Sequence, residues 1–209
     1  SGDRVGVQTE NGFKEMVLQD EYAGKPSGVF EGNFEEDMMS YVVYPHQEFH
    51  SIDGETLRYH LPDSYVYVTI EEGANSFNPP MLGRIDGDNA LLNHLASFFK
   101  IYVEDIPAGG DDMSFLLTTD KRITGSFNAY LTSEYPVLTT DDEAGNTVTI
   151  RFSNNKPGAD GVFYVPAPLG TYGSVSVEIK DGEESLAVKT WTNQEVKRKT
   201  PKKGVLAID

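Results

Sequence analysis

GVFYVPAPLGTYGSVSVEIKDGEESLAVKTW, residues Gly161 to Trp191, reads as a strand, a proline-rich crossover and then a hairpin. Val175, Val177 and Ile179 alternate with Ser174, Ser176, Glu178 and Lys180, the period of two expected where one face of a strand is buried and the other is wet. Asp181-Gly182 supplies the positive φ of a tight turn, and Leu186 and Val188 resume the alternation on the way back. Residues 174 to 190 therefore predict a hairpin. The stretch holds no reactive constellation. Its content is scaffold, and function is expected in what that scaffold assembles with or binds.

Outward from the hairpin, the chain is mostly short strands separated by turns. Val5 and Val7, Tyr41 to Tyr44 before Pro45, the alternating Leu57, Tyr59 and Leu61, and Val66, Val68 and Ile70 make a first group. Asp53-Gly54 marks a turn between two of them. After Asp86-Gly87-Asp88, one short helix is predicted over Asn89 to Phe98: Asp88 or Asn89 would cap it, and Leu91 or Leu92, Leu95 and Phe98 recur at helical spacing. A second group follows, with Phe99, Ile101 and Val103, then MSFLLTT, ITGSFNAYL, TVTIRF, the hairpin and a last VLAI. Many closely spaced strands with a single brief helix predict an all-β, sandwich-type protein of two tandem domains. Their boundary is expected near residue 87, giving an N-terminal β domain over 1–87 and a C-terminal β-sandwich over 88–209.

A chain of 209 residues is long enough to bury roughly 70% of its unfolded surface. Hydrophobic content of 38% with eleven Phe and eleven Tyr is too rich for disorder, and no apolar run reaches the ~20 residues of a bilayer-spanning helix. Zero cysteines exclude disulfides, thiolate metal sites and a cysteine nucleophile. A formal net charge of −16 argues against nucleic acid, whose binding needs cations to displace counterions from phosphates. The charge is uneven. Lys197, Arg198, Lys199, Lys202 and Lys203 gather just before Gly204 to Asp209, a basic run able to pair with a neighbouring acidic body or an anionic polymer, or to guard a sheet edge.

Signatures of common chemistry are missing. There is no G-x-S-x-G elbow, no G-x-x-x-x-G-K-[ST] loop and no G-x-G-x-x-G. His46, Glu48 and His50 share a face only if extended, whereas Pro45 and Asp53-Gly54 favour a loop there. The acidic turns at Asp86, Asp111 and Asp141 complete no calcium pattern, Ala90 holding the fifth position counted from Asp86. The expectation is a non-enzymatic protein with no cofactor and no metal. Tyr41, Tyr44, Tyr59, Tyr65, Tyr67, Tyr102 and Tyr130 cluster in or beside strands, and a phenol can stack on a sugar face while its hydroxyl finds a partner. Tyr65 and Tyr67 oppose Val66, Val68 and Ile70, so they are predicted on the wet face as possible ligand-facing aromatics. They also carry the alternative reading, a glycan-binding surface module of a polysaccharide-utilisation system.

The order of motifs resembles the fimbrillin-like surface proteins of Bacteroides and related bacteria: SGDRVGV, then Tyr22-Ala-Gly24 into GVFEGNF, SYVVYP, SIDGETLRYHLP, LLNHLASFFKIYV, KRITGSFNAYL and FYVPAPLGTYGSVSVEIKDG. This resemblance implies a pair of transthyretin-like β-sandwich domains, export through a lipoprotein precursor, and display at the outer membrane as a pilus (fimbrial) subunit or pilus-related adhesin. Any membrane attachment is expected only through a lipid anchor upstream of Ser1. It also implies partners: other pilus subunits or a second copy by strand addition, and a host protein or glycan as receptor. In such assembly a neighbour's extended strand fills an exposed groove, exchanging unpaired edge groups for ladder bonds. The candidate donor strand here is Val205, Leu206, Ala207 and Ile208. It is short, and it fits equally a strand that closes its own sandwich, which leaves tip, anchor and non-polymerising roles beside that of a stalk.

Overall fold

The computed structural model describes residues 2–35, 37–38, 40–67, 78–107, 112–140, 145–152, 159–200 and 202–207. Among them run seventeen strands: β1 (Arg4–Thr9), β2 (Gly12–Leu18), β3 (Phe30–Glu31), β4 (Tyr41–Tyr44), β5 (Ser51–Asp53), β6 (Thr56–Leu61), β7 (Ser64–Tyr67), β8 (Met81–Asp86), β9 (Asn89–His94), β10 (Ser97–Ile106), β11 (Met113–Thr119), β12 (Gly125–Tyr130), β13 (Thr147–Phe152), β14 (Ala159–Ala167), β15 (Gly170–Asp181), β16 (Glu184–Val196) and β17 (Lys202–Ala207). A single 3-10 turn spans Asp20–Tyr22. The protein is all-β, as its alternation predicts. No α-helix occurs among the described residues, and none is long and apolar enough to cross a membrane.

Two compact units share the chain. The first comprises Ser1–His60, Asn78–Ala96 and Asn128–Leu138, the second Leu61–Phe77, Ser97–Phe127 and Thr139–Asp209. Their division is interleaved, where the sequence reading placed one crossing near residue 87. β7 belongs to the second unit because it pairs in parallel with β13, Tyr65 beside Ile150. Residues 128–138 belong to the first because Leu131 N–H donates to the Glu55 carbonyl and Leu138 N–H to the Leu95 carbonyl.

In the second unit a five-stranded sheet, β16-β15-β11-β13-β7, and a three-stranded sheet, β14-β10-β17, supply the core. Val175, Val177 and Ile179 are buried within it, with Ser176, Glu178 and Lys180 on the other face. Phe115 of β11 stacks on Phe163 of β14, centroids 4.4 Å apart, and Phe152 of β13 meets Phe163 edge-on at 5.5 Å. The strand β10 alternates as cleanly, burying Phe99, Ile101 and Val103.

The first unit is built on a six-stranded sheet, β3-β2-β1-β4-β8-β9. A further sheet, β12-β6-β5, carries the buried Leu57, Tyr59 and Ala129 of this unit.

The predicted helix over 89–98 is a strand instead. Asn89–His94 is β9, antiparallel to β8 with Asp86 beside Asn89 and Gly83 beside Leu92. The register explains the reversal: Asp86-Gly87-Asp88-Asn89 closes a two-residue hairpin loop, the arrangement that also joins Asp181 to Glu184. Gly87 and Gly182 have φ of 58° and 57°, at the first loop position that favours glycine in tight hairpins. Leu91 then points outward, 78% exposed, while Leu92 turns inward. Helical propensity in NALLNH yields to cross-strand pairing. Gly87→Ala has open space around the added methyl, so its expected cost is the left-handed backbone alone, about 1 kcal/mol, read from the urea midpoint. A midpoint that does not fall would contradict the turn.

Candidate functional site

The register of the six-stranded sheet places a run of apolar side chains on one face. Val5 lies opposite Met16, Val7 opposite Val42, Tyr44 opposite Met81, and Leu18 opposite Phe30. Residues directly opposite each other project to the same side. This face lines an open groove of about 860 Å³, whose other wall comes from Lys25 to Val29 and Met38. Gly28 lets that wall approach, since a Cβ there would collide with Leu18. The polar fittings are few and sit at the rim, among them Asp3, Lys25, Asp88 and Asn89. At one corner the Tyr44 hydroxyl donates to Asp3 Oδ1 and lies 2.9 Å from Asn78 Oδ1. Burial first, and the Asp3 carboxylate second, hold the Tyr44 phenol in its neutral form by pushing its pKa well up. An apolar trough with one hydrogen-bonding corner suits alternate side chains of an extended segment.

On the sheet's opposite face sits the loop after Pro45. His46 Nδ1 is buried beside Gly6, and His50 is 4% exposed with neither ring nitrogen hydrogen-bonded. His50 stacks on Tyr59 at 4.1 Å and meets Phe13 edge-on at 6.5 Å, while the Tyr59 hydroxyl donates to the Tyr44 carbonyl. Burial pushes the His50 imidazole down to about 4. The His60 backbone lies close enough to offset part of this without hydrogen-bond geometry, and the neighbouring His46 and His60 rings add to the depression. Glu48 is exposed and does not converge with the histidines. Among the described residues no group of three His, Asp or Glu side chains is arranged to hold a metal.

The remaining candidates from the sequence lie in the second unit. Tyr65 packs against its core, and Val66 is the 60% exposed neighbour, the reverse of the predicted faces. The cause is the parallel β7–β13 pairing, which sets Tyr65 beside the fully buried Ile150. Burial, with the Asp63 charge second, pushes the Tyr65 phenol pKa upward. Only the backbone of Tyr67 is described, paired with Phe152, and Val68 and Ile70 lie outside the described residues. Val205, Leu206 and Ala207 belong to β17, parallel to β10 with Leu206 beside Val103 and 3% exposed; Ile208 lies outside the described residues. The acidic turns at Asp111 and Asp141 also fall outside them.

No protein-family model matches the chain, and no curated protein does. A solved structure does match: the crystal structure of "a putative cell adhesion protein from Bacteroides ovatus ATCC 8483" shares the fold with a TM-score of 0.56 and 10% identity, over 99% of this chain and 82% of that one. The likeness is one of fold. It agrees with the all-β architecture to which the sequence reading points.

Proposed function

We propose that the chain is a non-enzymatic cell-surface protein of the fimbrillin-like type, a pilus subunit or pilus-related adhesin built from two transthyretin-like sandwiches and displayed at the outer membrane. The observation that carries this reading is the open apolar groove of the first unit. Its lining residues recur at every second position of β1 and β4, the spacing at which an incoming strand presents its own side chains. Likeness of fold to a protein named for cell adhesion supports the same class. The occupant would be an extended apolar segment of another subunit or of a second copy. Were Val205–Ile208 that donor, β17 would first have to leave β10, so a tip or anchor role needs less rearrangement than a stalk role.

Light scattering over a concentration series tests it. Growth in mass is expected for the wild type and not for Ala90→Arg, which places a long cation at an exposed position of the groove wall, with circular dichroism unchanged. A chain that stays monomeric at every concentration removes assembly from the proposal. Growth that Ala90→Arg leaves intact removes the groove.

A further inference from the structure

The outward face of the β14-β10-β17 sheet carries a cluster that the groove does not use. β10 is the middle strand, and its register sets Lys100 between Tyr164 of β14 and Lys203 of β17, with Tyr102 two residues further along beside Val162 and Val205. Lys100 Nζ lies 5.1 Å from the Tyr102 ring centroid and 5.2 Å from that of Tyr164. Phe98 backs Tyr164 edge-on at 5.7 Å. Two phenol rings therefore hold one ammonium in place, which removes much of the rotamer freedom that a lysine otherwise loses on binding.

Charge makes the arrangement unusual. The protein carries −16, yet among the described residues neither Lys100 nor Lys203 has a carboxylate partner. Like charges on directly opposed strand positions repel, and among the described residues no carboxylate pairs with either of them. The Tyr102 phenol feels this field: the adjacent Lys100 ammonium, with a smaller contribution from the Lys203 charge, lowers its pKa. Glu104 ends the cluster at the far side of Tyr102.

We infer that this face binds an acidic polysaccharide, a uronate carboxylate seated between Lys100 and Lys203 and a sugar ring lying against Tyr102. A bound carboxylate relieves the lysine–lysine repulsion and accepts charge-assisted hydrogen bonds. The phenols donate to sugar hydroxyls and offer apolar ring surface, as Val205, 43% exposed, does beside them. An acidic protein segment would use the cations and leave the phenols idle. Sulfate and phosphate are best matched by arginine forks, and neither cation at the centre of the cluster is an arginine. The inference stands whether or not the chain assembles, since it uses none of the groove residues.

Calorimetric titration of the full chain with polygalacturonate tests it, with neutral dextran and dextran sulfate alongside and light scattering to record the state of association. Binding to polygalacturonate that weakens with salt is expected, with none to dextran. Lys100→Gln and Lys203→Gln should each weaken it by about tenfold, one charge-assisted hydrogen bond. Tyr102→Leu should weaken it with no change of charge. Lys199→Gln removes a charge of the same basic run outside the sheet and should leave it within about twofold, the scale of a screened surface charge. Lys100→Arg, keeping the charge, guards against misreading a folding defect. The inference is overturned if polygalacturonate binds no better than dextran, if only dextran sulfate binds, or if Lys199→Gln costs as much as Lys100→Gln. It is equally overturned if Lys100→Gln abolishes self-association instead, which would make a second copy the occupant.

Discussion

Phe163→Ala is expected to lower the stability of the second unit by about 3–5 kcal/mol, the range for deleting a fully buried aromatic ring. Phe163 is 0% exposed and is held on two sides, stacked on Phe115 and met edge-on by Phe152. Both partners sit on adjacent strands of the facing five-stranded sheet, β11 and β13, so the cavity cannot close by moving a single strand. Aromatic pairing adds about 0.5–1.5 kcal/mol per pair beyond area burial. Against a total stability on the order of 5–15 kcal/mol, the variant should sit near the limit of folding. The check is a chemical denaturation midpoint for the second-unit transition at unchanged slope; a loss below about 1 kcal/mol would mean that the two sheets do not meet through this ring.

The second large effect is a pH dependence placed on one imidazole. His50 is held near 4, below its ordinary value of 6.5, so above pH 6.5 it is neutral folded or unfolded and its contribution is fully present. Between 6.5 and about 4 the unfolded chain takes up a proton that the folded chain refuses, and stability falls with pH. Below about 4 the loss levels off at about 3 kcal/mol, the shift converted at 1.36 kcal/mol per unit. His50→Phe keeps a ring on Tyr59 and removes two buried nitrogens that have no hydrogen bond. It should match or exceed the wild type at pH 7 and outlast it increasingly towards pH 4. Because the protein's many carboxylates titrate alike in both, the difference between the two stability curves isolates His50. Parallel curves would refute the assignment.

What could be read in advance follows the range of the interactions. The 174–190 hairpin was legible because its alternation and its Asp-Gly turn are local, and the buried residues of β10, β11, β13 and β15 fall where that alternation puts them. The β9 strand was missed although Asp86-Gly87 carries the same turn dipeptide as Asp181-Gly182. Leucine spacing in NALLNH satisfies a helix and a strand alike, and only pairing with β8 decides between them. Tyr65 meets the core on the side opposite to the expected one because a strand of four residues fixes its own alternation but not which side meets a sheet. The groove and the lysine–tyrosine face were invisible for a further reason. Each is assembled by register between strands distant in sequence, as Lys100, Tyr164 and Lys203 show. The basic run and Tyr102 stood out in the sequence, but nothing local joins them.

The contact between Gly204 and Trp191 gives the molecule a built-in optical probe. A Cβ at Gly204 would come within 3.1 Å of the Trp191 ring, so the indole of β16 lies directly against the backbone of β17. This is the chain's single tryptophan, and its emission therefore reports whether that strand is seated. The strand returns to β10 across a long span of chain, Ser97 donating to the Thr200 carbonyl 103 residues away, a closure that costs chain entropy without a local contact to offset it. Fluorescence of Trp191 thus follows the seating of β17 against β16, at the C-terminal end of the chain.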